Sequence, residues 1–158
     1  MVRFAKIAIA LALFGALSYS PASAGSSSAN LTVSATVITT CSIATAPVAF
    51  GNYLGATTQA NGTLTVTCPN GLPYSVDLGQ GLNYSAGRRM SFSGSFLNYQ
   101  LYSDNADTVV WGTTSGGSAV SGTGNGLAQH LTVFGLLPAL QNVPAGAYTD
   151  TVIATVTF

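Results

Sequence analysis

The sequence predicts an all-β domain, and three observations carry that prediction. Apolar residues recur at every second position in several short runs. Outside the first 24 residues no stretch holds a helical period of 3.6. Gly, Pro and Asn interrupt the chain at short intervals. About seven short strands joined by turns point to a sandwich of two sheets.

Composition agrees. Of 158 residues, 47% are hydrophobic and 5% are charged, and there is no Glu. Ordinary globular domains carry roughly 25% charged residues. So low a charge excludes a nucleic-acid binder, which needs a basic face. It also excludes long exposed helices laced with ion pairs. Disorder driven by charge is excluded too, because it combines high net charge with low hydrophobicity.

Residues 1–24 read as an export signal. Arg3 and Lys6 form a basic start, 7–17 is an apolar run, and Ala22-Ser23-Ala24 is a small-x-small cleavage site, expected to be cut between Ala24 and Gly25. The apolar run of 11 residues is shorter than the roughly 20 that a spanning helix needs. No later segment is apolar enough, so no stable membrane insertion is expected. The mature chain, 25–158, holds 134 residues, about one domain. It keeps two Arg and four Asp, a formal net charge of −2.

The expected elements follow in order. Residues 25–28 form a flexible leader. In 31–37, Leu31, Val33, Ala35 and Val37 alternate with Thr32, Ser34 and Thr36. Two pairings satisfy that alternation: within the chain, or in a neighbour. Residues 46–55 are punctuated by Pro and Gly. Residues 62–68 alternate again, and Pro69-Asn70-Gly71 is a turn. Tyr74, Val76 and Leu78 alternate next, then 97–102, then the apolar 109–111. Six glycines mark 112–126 as a long loop. Residues 130–137 are a strand, and 147–158 is expected to be the longest strand. Its inward face is Val152, Ala154, Val156 and Phe158; its outward face is Thr151, Ile153, Thr155 and Thr157. At an open edge such a strand invites pairing with another chain.

Export implies an oxidising compartment, where a lone pair of cysteines is most simply a disulfide. Cys41 and Cys68 lie 27 positions apart, and closing that loop is worth about 3.5 kcal/mol by chain entropy. A metal site needs more ligands than these with one His, and a redox pair is usually CxxC.

Catalytic chemistry is absent from the pattern. His130 is the one histidine, and no His-to-carboxylate spacing suggests a triad. Asp104 and Asp107 sit in SDNADT, which reads as a turn before it reads as a pair of hydrolytic carboxylates. Arg88 and Arg89 read as solvated surface residues. The GTGNG run at 122–126 lacks the strand–turn–helix setting of a phosphate cradle. Trp111 and the tyrosines read as core before sugar platform. No catalytic residue, cofactor or metal ligand is expected.

Taken in order, the motifs resemble the spore coat protein U domain family, which includes secreted pilin subunits of archaic chaperone–usher pili. The matching pieces are LTVSATVITTCSI, VAFGNY, GTLTVTCPNGLPYSVDL, GRRM, LNYQLYSD, VVWG, HLTVFGLLPA and VPAGAYTDTVIATVTF. They span essentially the whole mature chain and diverge at 112–126.

The resemblance implies an immunoglobulin-like β-sandwich that lacks one strand. A periplasmic chaperone fills the gap first, then the N-terminal segment of the next subunit. Carried onto this chain, 25–38 is the donor segment, with Leu31, Val33, Ala35 and Val37 as the groove-filling side chains. Residues 39–158 are the receiving domain, Cys41–Cys68 is the family bridge, and Val152, Ala154, Val156 and Phe158 border the groove and meet the chaperone. The implied function is a surface pilus subunit supporting adhesion or biofilm formation. The implied partners are copies of itself or related pilins, the chaperone and an outer-membrane usher. The competing expectation is a self-contained secreted coat or carbohydrate-binding module, with 30–37 paired in its own sheet.

Overall fold

The computed structural model describes residues 23–158. Most of the expected export signal, 1–24, therefore lies outside the described residues. Contacts divide the chain between Thr36 and Val37. In the first unit, 23–36 carries no strand and every residue is exposed. Leu31 is 88% and Val33 85% exposed. The alternation of 31–37 is thus real, yet it forms no strand. A strand needs a hydrogen-bonded neighbour, and none of the sheets uses this segment.

The second unit is all β, with no α-helix among the described residues. One sheet has four strands: β1 (Ser42–Ala46), β2 (Thr58–Thr67), β8 (Ala128–Leu137) and β6 (Gln100–Tyr102), in that order across the sheet. The other has three: β7 (Val120–Thr123), β3 (Pro73–Leu78) and β9 (Ala154–Thr157). A hairpin, β4 (Arg89–Phe92) with β5 (Ser95–Asn98), makes its own ladder and is bridged from Ser91 to Thr149, ahead of β9. Every ladder is antiparallel.

Side-chain alternation puts Leu64 and Val66 of β2, Tyr74, Val76 and Leu78 of β3, and Val133 and Leu137 of β8 into one core. Trp111 lies among them, 1% exposed, and its indole donates to the Val76 carbonyl at 2.9 Å. These residues face inward from both sheets, which makes the unit a sandwich. The Cys41–Cys68 disulfide (S–S 2.03 Å) ties the residue before β1 to the residue after β2.

Several elements depart from expectation. The last strand is not the longest: β9 has four residues, whereas β2 and β8 have ten each. β3 offers only Ser75 to Leu78 as partners for Thr157 to Ala154. Upstream, the ladder gives way to single bonds, with the Gly79 amide donating to Ile153 and the Leu82 amide to Thr151. The 112–126 segment is not one loop but holds a 3-10 turn (Thr114–Gly116) and β7. Gly124 in that segment packs its Cα against Pro69 and the disulfide residue Cys68, where a Cβ has no room. The expected strand at 97–102 is two pieces, β5 and β6, parted by Tyr99. The β4–β5 hairpin turns on Ser93 (φ 45°) and Gly94 (φ 82°), the positive pair a two-residue turn requires.

Candidate functional site

Two sheets have four edges, and the one at β6 is occupied here. Beside β6 runs 109–111, which bridges Val110 to Tyr102 and donates from Trp111 to Leu101 at 2.9 Å. At β7, paired to β3 alone, the Gln129 side-chain amide donates to the carbonyl of the last residue, Thr123, at 3.1 Å. The two edges that face each other are β1, paired to β2 alone, and β9, paired to β3 alone. These two strands touch each other across the gap between the sheets.

Where they part, a cleft of about 220 Å³ opens into the core. Its walls are Thr45 and Ala46 from the end of β1, and Asp150, Val152 and Ala154 from the approach to β9. Its floor includes Leu64, Leu78, Leu101 and Val133. Val48 and Phe50 cross it from the 46–55 segment. They seat on Gly62 and Gly135, where a Cβ would lie 2.7 Å and 2.6 Å from Val48. The β1 edge runs toward this cleft and β9 runs away from it, so the two edges are antiparallel.

Of the four expected groove residues, Val152 and Ala154 line the cleft. Val156 packs half-buried on the core, and Phe158 lies past the end of β9, 53% exposed. Leu31, Val33, Ala35 and Val37 are all exposed. Cys41 and Cys68 are joined.

One wall of the cleft is polar. The Tyr99 hydroxyl donates to Asp150 Oδ2 at 2.7 Å, and Asn83 donates to Oδ1 from its backbone (3.2 Å) and side-chain amide (3.0 Å). Gly81, with φ 89°, leaves room for the carboxylate. Burial first, then the bond to Asp150, pushes the Tyr99 phenol well above its ordinary pKa.

Behind this wall lies the residue that sequence reasoning misplaced. Arg88 is not solvated but 5% exposed. Its guanidinium donates to the carbonyls of Leu78 (3.0 Å), Gly79 (2.7 Å) and Trp111 (2.8 Å) and to Gln100 Oε1 (2.8 Å). Burial lowers its pKa, opposed by the nearby Tyr99 and Asp150. Arg89 behaves differently: its guanidinium covers the Phe96 ring at 3.7 Å to the centroid. A signal was present in the sequence. Adjacent residues at a strand start point to opposite faces, so Arg-Arg before an alternating run sends one of them inward.

The other candidates resolve as structure. Asp104 accepts from the Val109 amide (2.6 Å), the Thr108 amide and the Thr108 hydroxyl, which lowers its pKa and closes a turn. Asp107 accepts from Gln59. His130 is exposed on β8 and meets the Thr65 hydroxyl at 3.1 Å. No cluster of three metal-ligating side chains occurs among the described residues.

Residues 27–155 match the Spore Coat Protein U domain. The chain belongs to that family. Protein U of Myxococcus xanthus is 36% identical to it over an alignment of 173 positions, covering 96% of each. A solved structure is also similar: a chaperone–tip adhesion subunit pre-assembly complex, CsuC–CsuE, from archaic chaperone–usher Csu pili of Acinetobacter baumannii. The TM-score is 0.61 at 25% identity, over 78% of this chain and 41% of that chain. The spore coat U chain thus spans about two-fifths of that solved chain. Both findings mark a structural, non-enzymatic protein. Among the described residues no helix is long and apolar enough to cross a membrane.

Proposed function

We propose that this spore coat U protein is the structural subunit of a surface pilus, built by the chaperone–usher route through donor-strand exchange. One juxtaposition carries the reading. The domain has an apolar cleft between two unpaired strand edges, and the chain has an exposed, alternating segment that no sheet uses. An edge strand with free backbone groups is a template for another chain. Main-chain bonds supply the affinity and alternate side chains the specificity.

The segment 30–37 of one copy fills the cleft of another, after a periplasmic chaperone has held it open. The export signal delivers the chain to that chaperone, with cleavage after Ala24, and an outer-membrane usher passes the fibre to the cell surface. Burying Leu31, Val33 and Val37 stabilises the joint by about 1.5–3 kcal/mol for each side chain fully covered. A head-to-tail contact that does not close yields a filament, suited to adhesion and biofilm formation. None of the six charges of 25–158 falls within 30–37.

The test is deletion of 30–37, with surface extracts run on gels before and after boiling. The expected outcome is a protein that is exported and binds its chaperone but gives no ladder, while the parent gives a ladder that boiling collapses. Normal fibres from the deletion would overturn the reading.

A further inference from the structure

The cleft has a direction, and the sequence has the register to match it. The donor segment leaves its own domain at Cys41, where β1 begins and the disulfide holds it to the end of β2. The cleft opens at the opposite end of β1, beside Thr45 and Ala46. For copies to follow one another in line, a neighbour's segment must come in past that opposite end. It then lies antiparallel to β9, the sense of every ladder in this fold, and parallel to β1. The reverse direction would crowd the entering and departing segments at the Cys41 end.

Resting on the pilus reading above, we propose that the segment docks in one register, with Thr39 of one copy opposite Asp150 of the next. Antiparallel pairing then fixes the rest. Val37 meets Val152, Ala35 meets Ala154, Val33 meets Val156 and Leu31 meets Phe158. The inward faces of both strands coincide along the whole length. Small residues meet at Ala35 and Ala154, and the largest pair, Leu31 with Phe158, comes last. A shift of one residue turns every apolar side chain outward. A shift of two leaves one pair unmatched and sets Ala35 against a valine.

The polar wall is the stop that selects this register. Asp150 is held by Tyr99 and Asn83 and cannot swing aside. No cation lies within ion-pair distance of it among the described residues. Its free lone pair suits a hydroxyl donor. Along the inward phase, the apolar run is bounded by Thr39 on one side and Ala29 on the other, and only Thr39 has a hydroxyl. A carboxylate at position 39 would meet Asp150 as a like charge.

The experiment uses full-length chains with paired cysteines, expressed with the chaperone and usher. Directly opposed Cβ atoms lie about 5 Å apart, close enough to bridge. A two-residue slip adds about 6.6 Å and prevents bridging. The variants A35C/A154C and V37C/V152C are expected to give a ladder that survives boiling without reductant and collapses with it. Variants A35C/V152C and A35C/V156C are expected to give none. Cross-linking at the slipped pairs, or boiling-sensitive fibres with no cross-link at the aligned pairs, would overturn the register and leave the pilus reading intact. Absence of any ladder from the unaltered chain would overturn the pilus reading and this inference with it. The stop has its own readout: Thr39→Asp is expected to abolish the ladder and Asp150→Asn in the same chain to restore it. A full ladder from Thr39→Asp alone removes Asp150 from the role.

Discussion

Tyr99 and Asp150 are joined by a 2.7 Å hydrogen bond at the edge of an otherwise apolar cleft. The bond holds a carboxylate in the wall and keeps the phenol protonated. Replacing Tyr99 by Phe removes the donor and leaves Asp150 with Asn83 alone. The expected loss is about 1–2 kcal/mol, read as a lower urea midpoint. The pH dependence follows from the sign of the shift. The folded-state pKa is raised above the ordinary 10.0, so its stabilising effect is complete below pH 10. It declines as pH climbs from 10 through the folded value. Tyr99→Phe should therefore show a shallower fall in stability above pH 10 than the parent, the remainder coming from Tyr102, whose pKa burial also raises.

Arg88 holds the ends of β3 and β6 and the 109–111 segment together through carbonyl oxygens. Arg88→Met leaves those acceptors buried and unpaired, at a cost of about 3 kcal/mol or more. Arg88→Lys should rescue little, because one ammonium cannot reproduce the fork that spans Leu78, Gly79, Trp111 and Gln100. Thermal unfolding of both variants checks this. A Lys variant as stable as the parent would refute the carbonyl account.

How much of this was legible in the sequence depended on whether one neighbour or two shaped a segment. β2, β3 and β8 alternate cleanly because each has one face on the core and a paired strand on both sides. The segment 31–37 alternates as cleanly and forms no strand, because alternation reports a face to be buried and not what buries it. The final strand was overdrawn for a related reason: its pattern begins at 147, but β3 ends at Leu78, opposite Ala154, and 147–153 lie beyond that ladder. The β4–β5 hairpin was missed because a Ser-Gly turn with a positive φ at Ser93 carries little sequence signal. Arg88 was misread because charge usually means solvent, and here carbonyl dipoles take the place of water.

The segment 31–37 offers a separation of folding from assembly. Val33 is 85% exposed, so Val33→Asp should leave the melting temperature of the isolated subunit unchanged. In a filled cleft the same carboxylate is buried and unpaired, at a cost of several kcal/mol. Fibre yield should fall to background while circular dichroism stays that of the parent. A large drop in melting temperature would show that Val33 already packs within its own chain.

Gly124 sets a test of the turn that follows β7. Its Cα presses on Pro69 backbone and on Cys68. Backbone cannot yield as a side chain can, so Gly124→Ala should cost about 1–3 kcal/mol. Urea unfolding under oxidising conditions measures it.

The bridge between Cys41 and Cys68 also decides where a pull would be felt. In a fibre under tension, force enters each domain through the residues before β1, a strand of five residues held on one side only. Such an edge would peel one rung at a time. The covalent link stands ahead of the first rung and hands the load to the end of β2, which lies inside its sheet with ten residues paired to β8. Strength against stretching is thereby set by the longest ladder in the domain and not by its most exposed one.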